Sequence, residues 1–139
     1  MSTPSLPPTM MRRRSAQAYA SVGLETKIMS ATPEQLITLL LEGARAAIIK
    51  ARLHLKQGNT AERGSAISRA IDIVDSGLRA SVDTEQGGEV AQSLIATYEL
   101  IIRHLMLANM HASNEHLTTA ENMLKDITEA WQEITTPGN

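Results

Sequence analysis

Four histidines, His54, His104, His111 and His116, and a scatter of carboxylates are the residues of this 139-residue chain that could do chemistry. Zinc-dependent hydrolysis would call for a His-Glu-x-x-His run, two imidazoles holding the ion and a glutamate activating water from one helical face; none occurs. His111 and His116 are five apart, a poor spacing for one helix face, and a turn falls between them. The histidines read as solvated surface groups. Acid–base catalysis needs carboxylates in a cleft that drives their pKa values apart. Asp72 and Asp75 are three apart and Glu85 and Glu89 flank two glycines, yet no cleft is visible and they read as solvated charges. Gly87-Gly88 lacks the following Lys-Ser/Thr of a phosphate-cradling loop, and no EF-hand spacing exists. The absence of cysteine removes disulfides, thiolate nucleophiles and Cys-based zinc sites together. The sequence predicts no catalytic centre, no metal site and no cofactor.

Composition narrows the class further. Net charge is −2, so no strong field for nucleic acid is expected. Arg12, Arg13 and Arg14 carry the charge of the first fourteen residues, and the other ten cations face fifteen acids, leaving −5. Phe is missing, and Tyr19, Tyr98 and Trp131 are the whole aromatic content, which argues against a base-stacking single-strand binder and favours helices over sheets. No apolar run approaches the ~20 residues that span a bilayer. Met10–Arg14 resembles a positive leader start, but Ser15–Val22 is too short and polar to follow it. No stable membrane insertion is expected, and the location expected is the cytoplasm.

Residues 1–14, with Pro4, Pro7 and Pro8 among Ser and Thr, are expected to be flexible. Residues 1–32 form an N-terminal arm, with a short extra helix or docking segment over 15–31. Thr32-Pro33-Glu34-Gln35 is a helix start: Thr32 as N-cap, Pro33 in the first turn, Gln35 completing a capping box. The first helix runs to about Lys56 and is closed by Gly58. Asn59 or Thr60 caps a second, running to about Val82. Asp83–Gly88 is a loop. A third helix runs to about His111. Ser113 or Asn114 caps a fourth, ending near Ile134 before a tail over 136–139. Short connections between long helices force antiparallel neighbours, so residues 33–135 are expected to form an all-α, up-down-up-down four-helix bundle.

Each helix carries a core stripe at ~100° per residue. The first aligns Leu36, Ile37, Leu40, Ala44, Ala47, Ile48 and Leu55; the second Ile67, Ala70, Ile71, Val74 and Leu78. The third aligns Leu94, Ile95, Tyr98, Ile101, Ile102, Leu105 and Met106, with Asn109 on the same face; the fourth Leu117, Ala120, Met123, Leu124, Ile127, Trp131 and Ile134. Three helices carry second apolar rows with a seven-residue repeat: Leu39, Ala46 and Leu53; Ala66, Ile73 and Ala80; Leu100 and Leu107. Exposed rows of this kind mark a surface for a partner helix. Cover by the chain's own arm, or pairing with a second copy in a homodimer, would also account for them.

A bundle can also serve as a phosphotransfer domain. His54-Leu55-Lys56-Gln57-Gly58 faintly resembles the His-x-x-Lys-Gly signature of that family, with His54 as acceptor. The spacing differs, and His54 lies in a last helical turn. A homo-oligomerising structural bundle is the other alternative.

A more extensive resemblance covers about Ala18 to Ile134. Asp83-Thr84-Glu85-Gln86-Gly87-Gly88-Glu89-Val90-Ala91, followed by Leu94 and Tyr98, resembles an acidic Gly-Gly-Glu-Ile-Ala loop and Leu-Tyr motif. Ala18-Tyr19, Thr32-Pro33-x-Gln35-Leu36-Ile37, Glu42-Gly43-Ala44, Leu107-Ala108-Asn109 and Glu129-Ala130-Trp131 follow the same pattern in the same order. Together they resemble the bacterial flagellar secretion chaperone family FliS. The resemblance implies a helical bundle without enzymatic activity that binds the C-terminal segment of flagellin, prevents early polymerisation and delivers it to the export gate protein FlhA. The second rows (Leu39, Ala46, Leu53, Ala66, Ile73, Ala80, Leu100, Leu107) are expected to supply those contacts, and the resemblance implies a gating role for the arm and its Tyr19.

Overall fold

A computed structural model describes residues 30–136. The N-terminal arm, its Tyr19 and the segment 1–14 lie outside the described residues, apart from the arm's last few positions. Four long helices and no strand occur among the described residues.

Helix α1 spans Pro33–Gln57. Its start is fixed by a reciprocal cap: Gln35 N–H donates to Thr32 Oγ1 at 3.1 Å, and Thr32 N–H donates to Gln35 Oε1 at 3.0 Å. Its end is fixed by Gly58 at φ +76°, where the N–H of Asn59 reaches the His54 carbonyl at 2.9 Å. Helix α2 spans Thr60–Asp72. Asn59 precedes it but gives no side-chain cap, donating instead to Gln57 Oε1 at 3.1 Å. The helix does not continue regularly to Val82 as the sequence suggested. It widens into a π-type segment, Ile73–Leu78, and tightens into a 3₁₀ turn, Arg79–Ser81. Helix α3 spans Gly88–His111, and α4 spans Asn114–Thr135 with Ser113 Oγ accepting from the His116 N–H at 3.2 Å.

The loop before α3 explains its two glycines. Asp83 Oδ1 accepts from the N–H groups of Glu85 and Gln86, and Gly87 N–H donates to the Asp83 carbonyl. That turn is tight enough that a Cβ on Gly87 would lie 2.4 Å from Ala91 Cβ and 2.7 Å from the Asp83 oxygen. Gly88 instead adopts φ +57°, where a side chain is strained.

Polar contacts fix the helix directions. Arg52 near the end of α1 pairs with Glu121 near the start of α4 at 2.6 Å, and Trp131 Nε1 near the end of α4 donates to Thr38 Oγ1 near the start of α1 at 3.0 Å. Arg63 near the start of α2 holds Asn109 near the end of α3, through side chain and carbonyl. Arg79 at the far end of that pair meets Glu99 at 3.0 Å. Neighbours in sequence are thus antiparallel, α4 closes against α1, and α1 and α3 stand diagonally. The result is a four-helix bundle.

The core contains most of the expected stripes. Leu40, Ala44, Ala47, Ile48, Ile67, Ala70, Val74, Leu78, Tyr98, Ile101, Leu105, Leu117, Ala120 and Leu124 are buried. Leu41 and Ala51 join them, and Gly43 is also buried. Three residues read as inward-facing point out. Met106 and Ile134 are 55% and 76% exposed, and Asn109 is exposed. Met106 lies at the margin of the α3 stripe, and Ile134 lies in the last turn of α4, where α1 is only beginning. Asn109 sits at the end of the bundle, turned toward Arg63.

Candidate functional site

The second apolar rows separate into three groups. On α1, Leu39 is partly buried, Ala46 is exposed and Leu53 is 51% exposed. Ile49, 52% exposed, lies between the last two and completes a ridge the seven-residue spacing missed; stepping by three and four from Ala46 finds it. On α3, Leu100 is 46% exposed and Leu107 half-buried, with exposed Met106 and Met110 extending the surface.

The α2 row is corrected by the structure. Ile73 is fully buried and offers no surface to a partner, and Ala66, 6% exposed, shows only within the α1–α2 cleft; Ala80 is exposed. Two causes act together. Helix α2 packs against both α1 and α3, which widens its buried face beyond one stripe to include Ala66. From Ile73 the π-type hydrogen bonding changes the turn per residue, so a row extrapolated at a regular α-helical angle no longer tracks one face.

The rows also border clefts. Ala46 and Ala66 come together across an open α1–α2 cleft of about 470 Å³, rimmed by Lys50, His54, Glu62 and Arg69. Leu53 and Ile49 border a second, of about 540 Å³, with Asn114 opposite. His54 itself is half-buried, with Nδ1 3.3 Å from Asn59 Nδ2.

The most apolar concavity was not anticipated from sequence. A groove of about 580 Å³ lies between the N-terminal half of α3 and the C-terminal half of α4, floored by Ile37, Leu41 and Leu78. Val90 (77% exposed) and Ile134 stand at its rim, and Leu94, Ile127 and Trp131 line its walls. Tyr98 lies in its wall; burial pushes its phenol up to about 12, so it remains a neutral hydroxyl. Asp83 is the one carboxylate in the lining. This chemistry suits apolar side chains rather than proton transfer. The signal that could have found the groove is the pair Val90–Leu94 on α3 facing Ile127–Trp131–Ile134 on α4; all of these but Val90 read as core.

His104 and His116 were expected to be solvated. Both are partly buried and meet across the α3–α4 seam, Nδ1 to Nδ1 at 2.9 Å. Burial first, then His116, then Arg103 lowers the His104 pKa from its usual 6.5. Among the described residues no three His, Asp or Glu side chains gather into a metal cage, and no helix is long and apolar enough to cross a membrane.

An antiparallel bundle with apolar ridges on two diagonal helices and a groove at one end is a small all-helical scaffold with surfaces suited to other helices. Residues 15–137 match the family model described as Flagellar protein FliS. The flagellar secretion chaperone FliS of Salmonella typhimurium is 44% identical over 118 residues, covering 85% of this chain and 87% of that one. Its Escherichia coli counterpart is 36% identical over 124 residues, covering 89% and 91%. The flagellar secretion chaperone FliS of Vibrio cholerae is 29% identical over 122 residues, covering 88% and 89%. The chain belongs to the FliS family.

Proposed function

We propose that this protein is a non-enzymatic export chaperone of the bacterial flagellum. In the cytoplasm it holds the C-terminal, helix-forming segment of flagellin, prevents early polymerisation and delivers the segment to the export gate protein FlhA. Its relatives are named flagellar secretion chaperones. The observation that carries the reading is the exposed apolar surface: Ile49 and Leu53 on α1, Leu100, Met106 and Met110 on α3, and Val90 and Ile134 at the groove.

Energetics favour a partner that touches more than one of these. A segment that folds as it binds gives up about 2–5 kcal/mol in ordering, on top of at least ~4 kcal/mol for association. At ~25 cal/mol per Å², roughly 250–350 Å² of apolar burial offsets these terms before any net affinity appears. One ridge with two half-exposed leucines is too small. A segment running from the α1 ridge (Leu39, Ala46, Leu53) to the α3 ridge (Leu100, Leu107), past Ala80 or the α3–α4 groove, covers more apolar surface than either ridge alone. Ala66 and Ile73 then support that surface from beneath.

The test is seeded growth of flagellin filaments. The full chain at equimolar ratio stops growth, and Leu53→Asp, Val90→Asp or both weaken the block while helicity stays unchanged. Growth that proceeds normally beside an excess of folded chain contradicts the proposal.

A further inference from the structure

The contact between His104 and His116 serves neither the bundle's core nor its apolar surfaces. The residues sit on adjacent antiparallel helices, on either side of the turn that Ser113 caps. Their rings lie with Nδ1 atoms 2.9 Å apart, centroids 5.2 Å apart and planes inclined by 39°. Among the described residues, neither ring has another side-chain hydrogen-bond partner. At that separation one nitrogen carries a hydrogen and the other presents a bare lone pair, since two N–H groups would collide. Two imidazoles therefore aim at one point between two helices, with a single proton holding them together.

We propose that His104 and His116 are the protein ligands of a divalent transition-metal site, for Cu²⁺, Ni²⁺ or Zn²⁺, that bridges α3 and α4. Imidazole nitrogen suits these ions, and Cu²⁺ binds most tightly at such donors. The geometry requires little rearrangement. Two imidazole nitrogens at about 2.0–2.1 Å from a tetrahedral ion stand about 3.4 Å apart, with both rings tilted toward the metal. Rings so tilted have centroids roughly 5.2 Å apart, the spacing already present here. The ion enters as the rings tilt, and the ring that carried the shared hydrogen at Nδ1 takes it up at Nε2 through solvent, so that both residues ligate through Nδ1 as neutral imidazoles. The neutral imidazole is the form that ligates. No third His, Asp or Glu completes the set among the described residues, so water fills the remaining positions and the site stays open on one side.

The experiment titrates CuCl₂ and ZnCl₂ separately into the full chain, without a polyhistidine tag, near pH 7.5 in a non-chelating buffer. Calorimetry and thermal unfolding are read in parallel. The expected result is one saturable site, a rise in melting temperature with metal, and a loss of more than about tenfold in affinity in both His104→Gln and His116→Gln. His54→Gln and His111→Gln leave binding unchanged. Electron paramagnetic resonance of the Cu²⁺ complex of the unsubstituted chain shows two equivalent imidazole nitrogens, a readout that does not depend on the variants folding. Absence of saturable binding overturns the proposal. Saturable binding that survives both substitutions, or a spectrum with one imidazole nitrogen, assigns the ion to other histidines and overturns it equally.

Discussion

Replacing Ile73 with alanine separates a structural role from a partner-binding one. Its seven-residue spacing from Ala66 and Ala80 suggests a surface row, whereas the structure buries it completely within the π-type segment of α2. Ile73→Ala removes three carbons. At ~0.8 kcal/mol per buried methylene that is about 2.4 kcal/mol of lost transfer energy, and the cavity left behind brings the loss to roughly 3–4 kcal/mol. Unfolding entropy of ~2.1 cal/mol/K per residue over 139 residues converts this to a fall in melting temperature of about 10–14 °C. Heat and urea unfolding followed by circular dichroism at 222 nm measure it. Binding of a flagellin C-terminal peptide, measured where both proteins are fully folded, changes by less than about twofold, since no partner reaches the side chain. A loss below ~1 kcal/mol together with clearly weaker binding would refute the reasoning, because it would place Ile73 on the surface.

The other predictions concern the loop, a helix end, the groove and pH. Gly87→Ala forces a Cβ against Ala91 and the Asp83 carbonyl and destabilises by about 1–3 kcal/mol in urea unfolding. Ala112, which closes α3 at φ +51°, gains from glycine: Ala112→Gly raises stability by about 0.5–1 kcal/mol in the same assay. Val90→Asp, at a rim position 77% exposed, shifts stability by less than about 0.5 kcal/mol yet lowers flagellin affinity by tenfold or more on the proposed function; unchanged affinity removes the groove from the binding surface. His104 holds its proton less tightly in the folded chain than at its usual 6.5, through burial, His116 and Arg103. Its contribution is therefore complete above about 6.5 and is lost as pH falls toward the lowered folded value. The urea midpoint falls between pH 7.5 and 5, and less so in His104→Gln; equal falls in both proteins would show that His104 does not carry the effect.

Helix starts were legible because capping is local. Thr32, Pro33 and Gln35 fix the start of α1 within four consecutive residues, and Gly58 and Ser113 act over similarly short spans. Core faces were legible wherever a helix is regular and has neighbours along its length, as for Ile48, Ile101 and Leu124. Three physical features were not. The π-type turn at Ile73–Leu78 is a backbone hydrogen-bonding choice without a compositional mark. Angular stripes say nothing about where a neighbouring helix stops, so Ile134 and Asn109, at the bundle's ends, were assigned to the core. The groove and the His104–His116 contact join residues from different helices, and one sequence read helix by helix does not pair their faces. Of the proposed surface, the sequence located Leu53 and Leu100; Ile49, Val90 and Met110 required the fold.

The central claim, that the apolar ridges and groove hold a flagellin segment, is tested most directly by calorimetric titration. The full chain is titrated with the last ~50 residues of flagellin from the same bacterium, a length suited to coupled folding that buries about 1,000–3,000 Å². The account predicts tight one-to-one binding with a large negative heat-capacity change, weakened by Leu53→Asp and Val90→Asp. No binding by the folded chain, or binding indifferent to both substitutions, would contradict it.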